Sequence, residues 1–187
     1  MFIQTEDTPN PATLKFLPGR DVLGTEHGPL DMADAAAAAV SPLAEALFKI
    51  EGVRGVFLGR DFVTVTKDDR HGWQALKPQL LGVIMDHFVA GKPVLAAGAA
   101  AADSNASAEG DSEIVKQIRE ILDVKVRPAV AQDGGDITFQ SFEDGVVYLH
   151  LKGSCAGCPS STATLKAGIE NMLKHYIPEV KEVRQTR

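Results

Sequence analysis

The residues of this chain whose type and spacing point most directly to chemistry are Cys155 and Cys158, in the segment Lys152-Gly-Ser-Cys-Ala-Gly-Cys-Pro159. A Cys-x-x-Cys pair gives a two-sulfur bite suited to a metal. Pro159 fits the first position of a helix, which places Cys158 near the N-cap. Free backbone N–H groups and the positive end of the helix dipole then face the sulfurs and favour thiolate, the form that binds metal. Gly153, Ala156 and Gly157 let the backbone approach a bulky inorganic core, and Ser154, Ser160, Ser161 and Thr162 offer hydroxyl donors to sulfur. The pair reads as a solvent-facing half-site for an iron–sulfur cluster.

The ligand count carries this further. The chain has two cysteines, whereas both [2Fe–2S] and [4Fe–4S] clusters ordinarily take four thiolates. Two chains meeting about a two-fold axis supply the set, and such dimers are the commonest oligomers. The expected site is therefore one cluster bridging two subunits, able to leave when they part or when a client's thiolates exchange in. That is the behaviour of a carrier rather than of a permanent electron-transfer centre.

Three other readings of the pair stand beside this one. Thioredoxin-like oxidoreductases also place two cysteines between a strand and a helix N-terminus. Against redox chemistry, the order of elements does not suggest a βαβ pattern, and Ala156-Gly157 lacks the proline of many such pairs. Zinc held by four thiolates from two chains is a further rival, or a substitute acquired in purification. Two inert, buried cysteines suit the Gly/Ser surroundings poorly.

Other residues offer less. Of the five histidines, His27, His71, His87, His150 and His175, none pairs with another at ligand spacing. His150 lies nearest the cysteines, but alternation sets it opposite Val147, Leu149 and Leu151, as an exposed strand residue. Asp133 and Asp136 flank Gly134-Gly135, where a turn with positive φ explains them more simply than an ion-binding loop. Trp73 opens an apolar helical stripe and reads as core. There is no Ser/His/Asp arrangement, no G-x-x-x-x-G-K-[ST] loop and no G-x-G-x-x-G. No catalytic residue is expected, and the chain does not read as an enzyme.

The elements that must position the cysteines follow from periodicity. In the C-terminal part, Ile114, Ile118, Ile121 and Leu122 form an amphipathic stripe. A further helical turn starts at Arg127-Pro128 and ends at Asp133-Gly134-Gly135-Asp136. Residues 137–142 read as a strand, Asp144-Gly145 as a hairpin turn, and Val147, Leu149 and Leu151 as one face of the return strand. The cysteine loop follows. Then comes a helix from Pro159 to about Tyr176, with Leu165, Ile169, Met172, Leu173 and Tyr176 inward. Residues 180–184 add a last short strand.

In the N-terminal part, residues 2–5 and 12–17 read as strands around the turn Thr8-Pro-Asn-Pro11. Ser41-Pro42 caps a helix whose apolar face is Leu43, Leu47 and Ile50. Residues 53–58 and 62–66 form a hairpin. Trp73, Leu76, Leu80, Ile84 and Phe88 fit a longer helix, kinked or begun late at Pro78. The alanine run at 33–39 reads as helix.

Between the halves, residues 96–112 (AAGAAAADSNASAEGDS) hold no Leu, Ile, Val or aromatic residue and read as a flexible linker. The fold class is thus α+β or α/β: two small mixed domains, 1–95 and 113–187, joined by an Ala/Ser/Gly-rich linker. The length of 187 residues, 44% hydrophobic and 24% charged, suits this. The net charge of -6 and pI of about 5.3, with no basic cluster, speak against nucleic acid. No apolar run approaches the roughly 20 residues of a membrane span, and the N-terminus lacks secretory or transit character.

The run Arg127-Pro-Ala-Val130, then Asp133-Gly-Gly-Asp-Ile137, then Gly153-Ser-Cys-Ala-Gly-Cys-Pro-Ser-Ser-Thr-Ala-Thr-Leu-Lys166 closely resembles the NifU C-terminal-type domain of the Nfu iron–sulfur scaffold family. Residues 2–5, Thr8-Pro-Asn-Pro-Ala-Thr-Leu-Lys-Phe16, Ser41-Pro-Leu-Ala44 and Asp61-Phe-Val-Thr-Val-Thr-Lys67 resemble the Nfu N-terminal domain. The resemblance implies a scaffold or carrier that accepts a [4Fe–4S] cluster and delivers it to apo-proteins. Its ligands would be Cys155 and Cys158, and its partners a second copy of itself, iron–sulfur clients and upstream assembly proteins. The N-terminal domain would help engage partners. A [2Fe–2S] form stays open, because spacing does not separate the two cluster types. Location is expected to be bacterial cytoplasm, or the mitochondrion for a processed eukaryotic form.

Overall fold

The computed structural model describes residues 2–99, 112–156 and 159–186, with 159–161 described in their backbone alone. It shows two mixed units, each a sheet packed against helices. Most of the expected linker, 100–111, lies outside the described residues, as does Cys158.

The N-terminal unit is a five-stranded antiparallel sheet. Its strands are β1 (Gln4–Asp7), β2 (Thr13–Leu17), β3 (Leu30–Met32), β4 (Val53–Leu58) and β5 (Val63–Lys67), in the order β1-β2-β5-β4-β3. Strand alternation sends Leu14, Phe16, Val56, Leu58, Val63 and Val65 to one face. There they pack with Leu43 and Leu47 of α1 (Pro42–Phe48) and Leu76, Leu80 and Ile84 of α2 (Trp73–Val89). Ser41 caps α1 as its type and position predict: its Oγ accepts the N–H of Ala44 at 3.2 Å. The same hydroxyl donates to the Val94 carbonyl at 2.6 Å and so pins the chain that leaves α2.

Three N-terminal expectations need correction. The alanine run forms only a 3-10 turn, Ala37–Val40; nothing but Ala38 is buried there, so no apolar stripe extends it. The edge strand β3 was not foreseen, since three residues are too few to show alternation. Helix α2 starts at Trp73 and runs through Pro78. The Pro lies in the second turn and removes one backbone bond, while the stripe Leu76, Leu80, Ile84 and Phe88 holds the helix to the sheet.

The C-terminal unit begins with a helical rod. Helix α3 (Glu113–Ile121) passes into a π-helical turn, Leu122–Val126, and then into α4 (Arg127–Gln132). The widened turn directly precedes Pro128, whose ring crowds the carbonyl four residues back and which has no N–H to offer. Three strands follow: β6 (Gly135–Glu143), β7 (Val146–Gly153) and β8 (Glu182–Thr186), in the order β6-β7-β8. Asp144 (φ 52) and Gly145 (φ 87) both take positive φ, the two-residue turn that Asp-Gly favours between antiparallel strands.

Helix α5 (Pro159–Tyr176) crosses from β7 to β8, which pair in parallel. This is a βαβ unit with the cysteine loop at its first bend, so element order does not disfavour a dithiol oxidoreductase as the sequence suggested. Ile118, Leu122, Val130, Ile137, Val147, Leu149, Ile169 and Leu173 make the core. Tyr176, expected inward, is 49% exposed, and Ile177 fills the inner position at 1%. The helix ends at Tyr176, and the change in backbone path re-aims the following residue.

Candidate functional site

Cys155 sits two residues past the end of β7, where the ladder closes on the pair Gly135–Gly153. Both positions require glycine. A Cβ on Gly135 would lie 2.6 Å from the Lys152 carbonyl oxygen and 2.7 Å from Cys155 Sγ. A Cβ on Gly153 would lie 2.8 Å from the Gly134 carbonyl oxygen, and its φ of +63 is one that L side chains rarely adopt. Gly135 is therefore the floor on which the sulfur rests. The expected turn at Gly134, with φ 81, is present, and it also underlies the site.

Short bonds fix the loop above this floor. The Ser154 N–H donates to the Gly134 carbonyl at 3.3 Å, and the Ser154 hydroxyl to the Asp133 carbonyl. Ala156 N–H donates to the Gly153 carbonyl at 3.1 Å. From α5, the Thr162 hydroxyl donates to the Cys155 carbonyl at 3.2 Å. The floor is itself braced, because Arg127 Nε donates to Asp136 Oδ1 at 2.9 Å and Nη2 to Oδ2 at 3.3 Å. Asp136 is 6% exposed, so this two-point pair anchors the start of β6 to α4. Sequence reasoning saw the Asp136 turn but missed this role; Arg127 nine positions earlier was the available signal.

The state of the sulfur differs from the sequence expectation. Cys155 is 6% exposed and belongs to the C-terminal core, not to a solvent-facing pair. Burial pushes its thiol up to about 11; the Ser154 hydroxyl lowers it, and Asp133 and Asp136 raise it further. In this conformation Cys155 is a protonated thiol turned inward. A soft sulfur with neighbouring hydroxyls fits a thiolate-bound metal, but only after the loop turns outward. Among the described residues no group of three or more His, Cys, Asp or Glu side chains converges as a metal site. His150 is half-buried rather than freely exposed, and acts with Lys152 on the charge of Asp31. Trp73 is half-buried at the edge of its core, its Nε1 donating to the Pro11 carbonyl at 3.0 Å.

The N-terminal sheet lies against the loop. Thr64 Oγ1 donates to the Gly134 carbonyl at 2.7 Å, Lys15 Nζ to the Gln132 carbonyl at 2.9 Å, and Asn10 Nδ2 to the Ala156 carbonyl at 3.1 Å. Asp31 accepts the Gly153 N–H. Beside these contacts a cleft of about 580 Å³ opens between the units. Arg60, Arg127, Asp61, Asp123 and Asp136 line it, a mixture that favours neither sign of ligand.

Family models match both halves. The model described as scaffold protein Nfu/NifU N terminal matches residues 3–91, and the NifU-like domain matches residues 118–184. A curated relative from Drosophila willistoni, the mitochondrial NFU1 iron-sulfur cluster scaffold homolog, is 52% identical over 185 residues. The alignment covers 99% of this chain and 63% of that protein. The homolog of the same name from Drosophila virilis is 51% identical, with 99% of this chain and 61% of that protein covered. The chain thus spans somewhat less than two thirds of the length of these relatives. A NifU-like protein from Saccharomyces cerevisiae, solved in solution, aligns with a TM-score of 0.47 at 26% identity, covering 52% of this chain and 86% of that one.

Proposed function

Because the chain belongs to the Nfu/NifU family, with an Nfu/NifU N-terminal domain followed by a NifU-like domain, we propose that it is an iron–sulfur cluster scaffold. Two copies hold one [4Fe–4S] cluster as cargo through Cys155 and Cys158 of each chain. The cluster then passes to apo-proteins by thiolate exchange. The division into 1–95, a 96–112 linker and 113–187 is part of this reading. So are its partners: a second copy, iron–sulfur clients and upstream assembly proteins. Its work is transfer of cargo rather than catalysis. The names of the curated relatives favour the mitochondrial location over the cytoplasmic one.

The observation that carries the proposal is the placement of Cys155 in the bend between β7 and α5, over a glycine floor and ringed by hydroxyls. The N-terminus of α5 and small neighbours give an outward-turned loop what thiolates need. Neither half-site is complete alone, since one chain contributes two of the four thiolates that such a cluster takes.

Anaerobic reconstitution tests this. A brown dimer with about four iron and four sulfide per two chains is expected, and Cys155→Ala should abolish it. A monomer that keeps a full cluster after that substitution refutes the reading. The parallel βαβ setting supports one competitor, a dithiol oxidoreductase. It would show as disulfide reduction by the metal-free protein, with Cys158→Ser trapping a mixed disulfide. Metal analysis of anaerobically purified protein separates iron from a zinc-bridged dimer.

A further inference from the structure

The face of the N-terminal sheet turned away from its helices carries one row of side chains that crosses every strand. Strand register places Glu6 opposite Lys15, Lys15 opposite Thr64, Thr64 opposite Phe57, and Phe57 opposite Asp31. Directly paired residues share a face, so these five side chains stand in line. The second face of such a sheet commonly meets water. Here Lys15, Thr64 and Phe57 are 6%, 1% and 2% exposed.

What covers the row is the root of the cysteine loop. Lys15, held by Glu6 at 3.2 Å, donates to the Gln132 carbonyl, and Thr64 to the Gly134 carbonyl. The Phe57 ring packs on Gly153, where an added Cβ would lie 3.0 Å from its Cγ, and Asp31 takes the Gly153 N–H. Asn10, outside the row, holds the carbonyl of Ala156, the residue after Cys155. The contacted main chain thus lies on both sides of Cys155 and includes the two positive-φ glycines, 134 and 153, about which the loop would turn.

We propose that this row is a dock for the empty cysteine loop, and that docking and cluster bridging are mutually exclusive. The inference rests on the scaffold reading above. While docked, the sulfur faces Gly135, and the N-terminal sheet occupies ground that a second chain would need to reach the loop. A cluster shared by two chains requires the sulfurs outward and that approach open. Cluster loading therefore releases the N-terminal sheet, and its polar row becomes free to meet a client. Unloading restores the dock and turns Cys155 inward again. Each state excludes the other by the contacts it holds, which is a coupling free energy between dock and cluster.

The test uses the full chain with Cys158→Ser, which leaves Cys155 as its single thiol. Iodoacetamide alkylation is compared with and without Thr64→Val and Lys15→Met, at one pH and with far-UV circular dichroism as the folding control. Losing two docking bonds should speed alkylation roughly tenfold. If the double variant fails to fold, Thr64→Val alone keeps its volume and should give about a fivefold rise. Folded variants that react within about twofold of the parent overturn the dock. In the chain with both cysteines, the same substitutions should raise the initial rate of anaerobic cluster loading. Faster alkylation with unchanged loading overturns the mutual exclusion. Failure of every protein to load counts against the scaffold reading, and the dock then stands or falls on alkylation.

Discussion

Gly135→Ala isolates the floor beneath the sulfur. The φ at this position is not in the left-handed region, so alanine meets no conformational barrier of its own. Its methyl group would lie 2.6 Å from the Lys152 carbonyl oxygen, 2.7 Å from Cys155 Sγ and 3.1 Å from Cys155 N. Two of these three atoms are backbone, so no rotamer change relieves the contact. Overpacking of this kind costs about 1–3 kcal/mol, and the lower entropy of the unfolded alanine chain returns roughly 0.4–1 kcal/mol. A net loss of about 1–2 kcal/mol is expected, which lowers Tm by roughly 4–8 °C per kcal/mol in a unit of this size. Gly168→Ala provides the control: it lies within α5, with nothing within 4 Å of the added atom. It should stabilise by about 0.5–1 kcal/mol through helix propensity. Thermal unfolding reads both variants. If Gly135→Ala matches the wild type while Gly168→Ala stabilises, the sulfur does not rest on residue 135 and the description of the loop fails.

Asp136→Asn should cost about 1–3 kcal/mol in urea unfolding, because a buried carboxylate that accepts two guanidinium bonds becomes a neutral amide with one donor end misplaced. A change below about 0.5 kcal/mol, the range of ordinary surface substitutions, would show that the pair does not brace β6. His87 is 4% exposed; burial, and then the charge of Lys92, lower the pKa of its imidazole below 6.5. The unfolded chain therefore binds a proton that the folded chain refuses as pH falls from about 6.5. Stability should decline over that interval and His87→Phe should flatten the profile; an unchanged slope in the variant would show another group to be responsible.

Legibility from the sequence followed the locality of each signal. The Asp144-Gly145 turn, the Ser41 cap and the Val147, Leu149, Leu151 face are written in adjacent residues, and each appears where expected. The cysteine loop was placed between strand and helix for the same reason. Its chemistry was read less well. A helix N-terminus promotes thiolate, but Gly135 arrives from twenty positions upstream and removes the solvent that thiolate needs. Local spacing says nothing about that approach. Lys15 and Thr64 were equally opaque, since alternation marks them as one face of a sheet but not as partners of carbonyls at 132 and 134. The short β3 and the parallel pairing of β8 depend on tertiary contacts alone.

The π-helical turn at Leu122–Val126 has a consequence for the lineage of the fold. Such a turn is an α-helix carrying about one surplus residue, and each residue of an α-helix advances about 100° around the axis. A chain shortened by one residue here would keep a helix of almost the same length. Everything after the deletion would nevertheless be out of phase by that angle. Arg127 would swing away from Asp136, and Val130 would leave the core. The surplus residue therefore acts as a phase setting for the second half of the rod. Length variation should be tolerated ahead of Glu113 and selected against between residues 122 and 136.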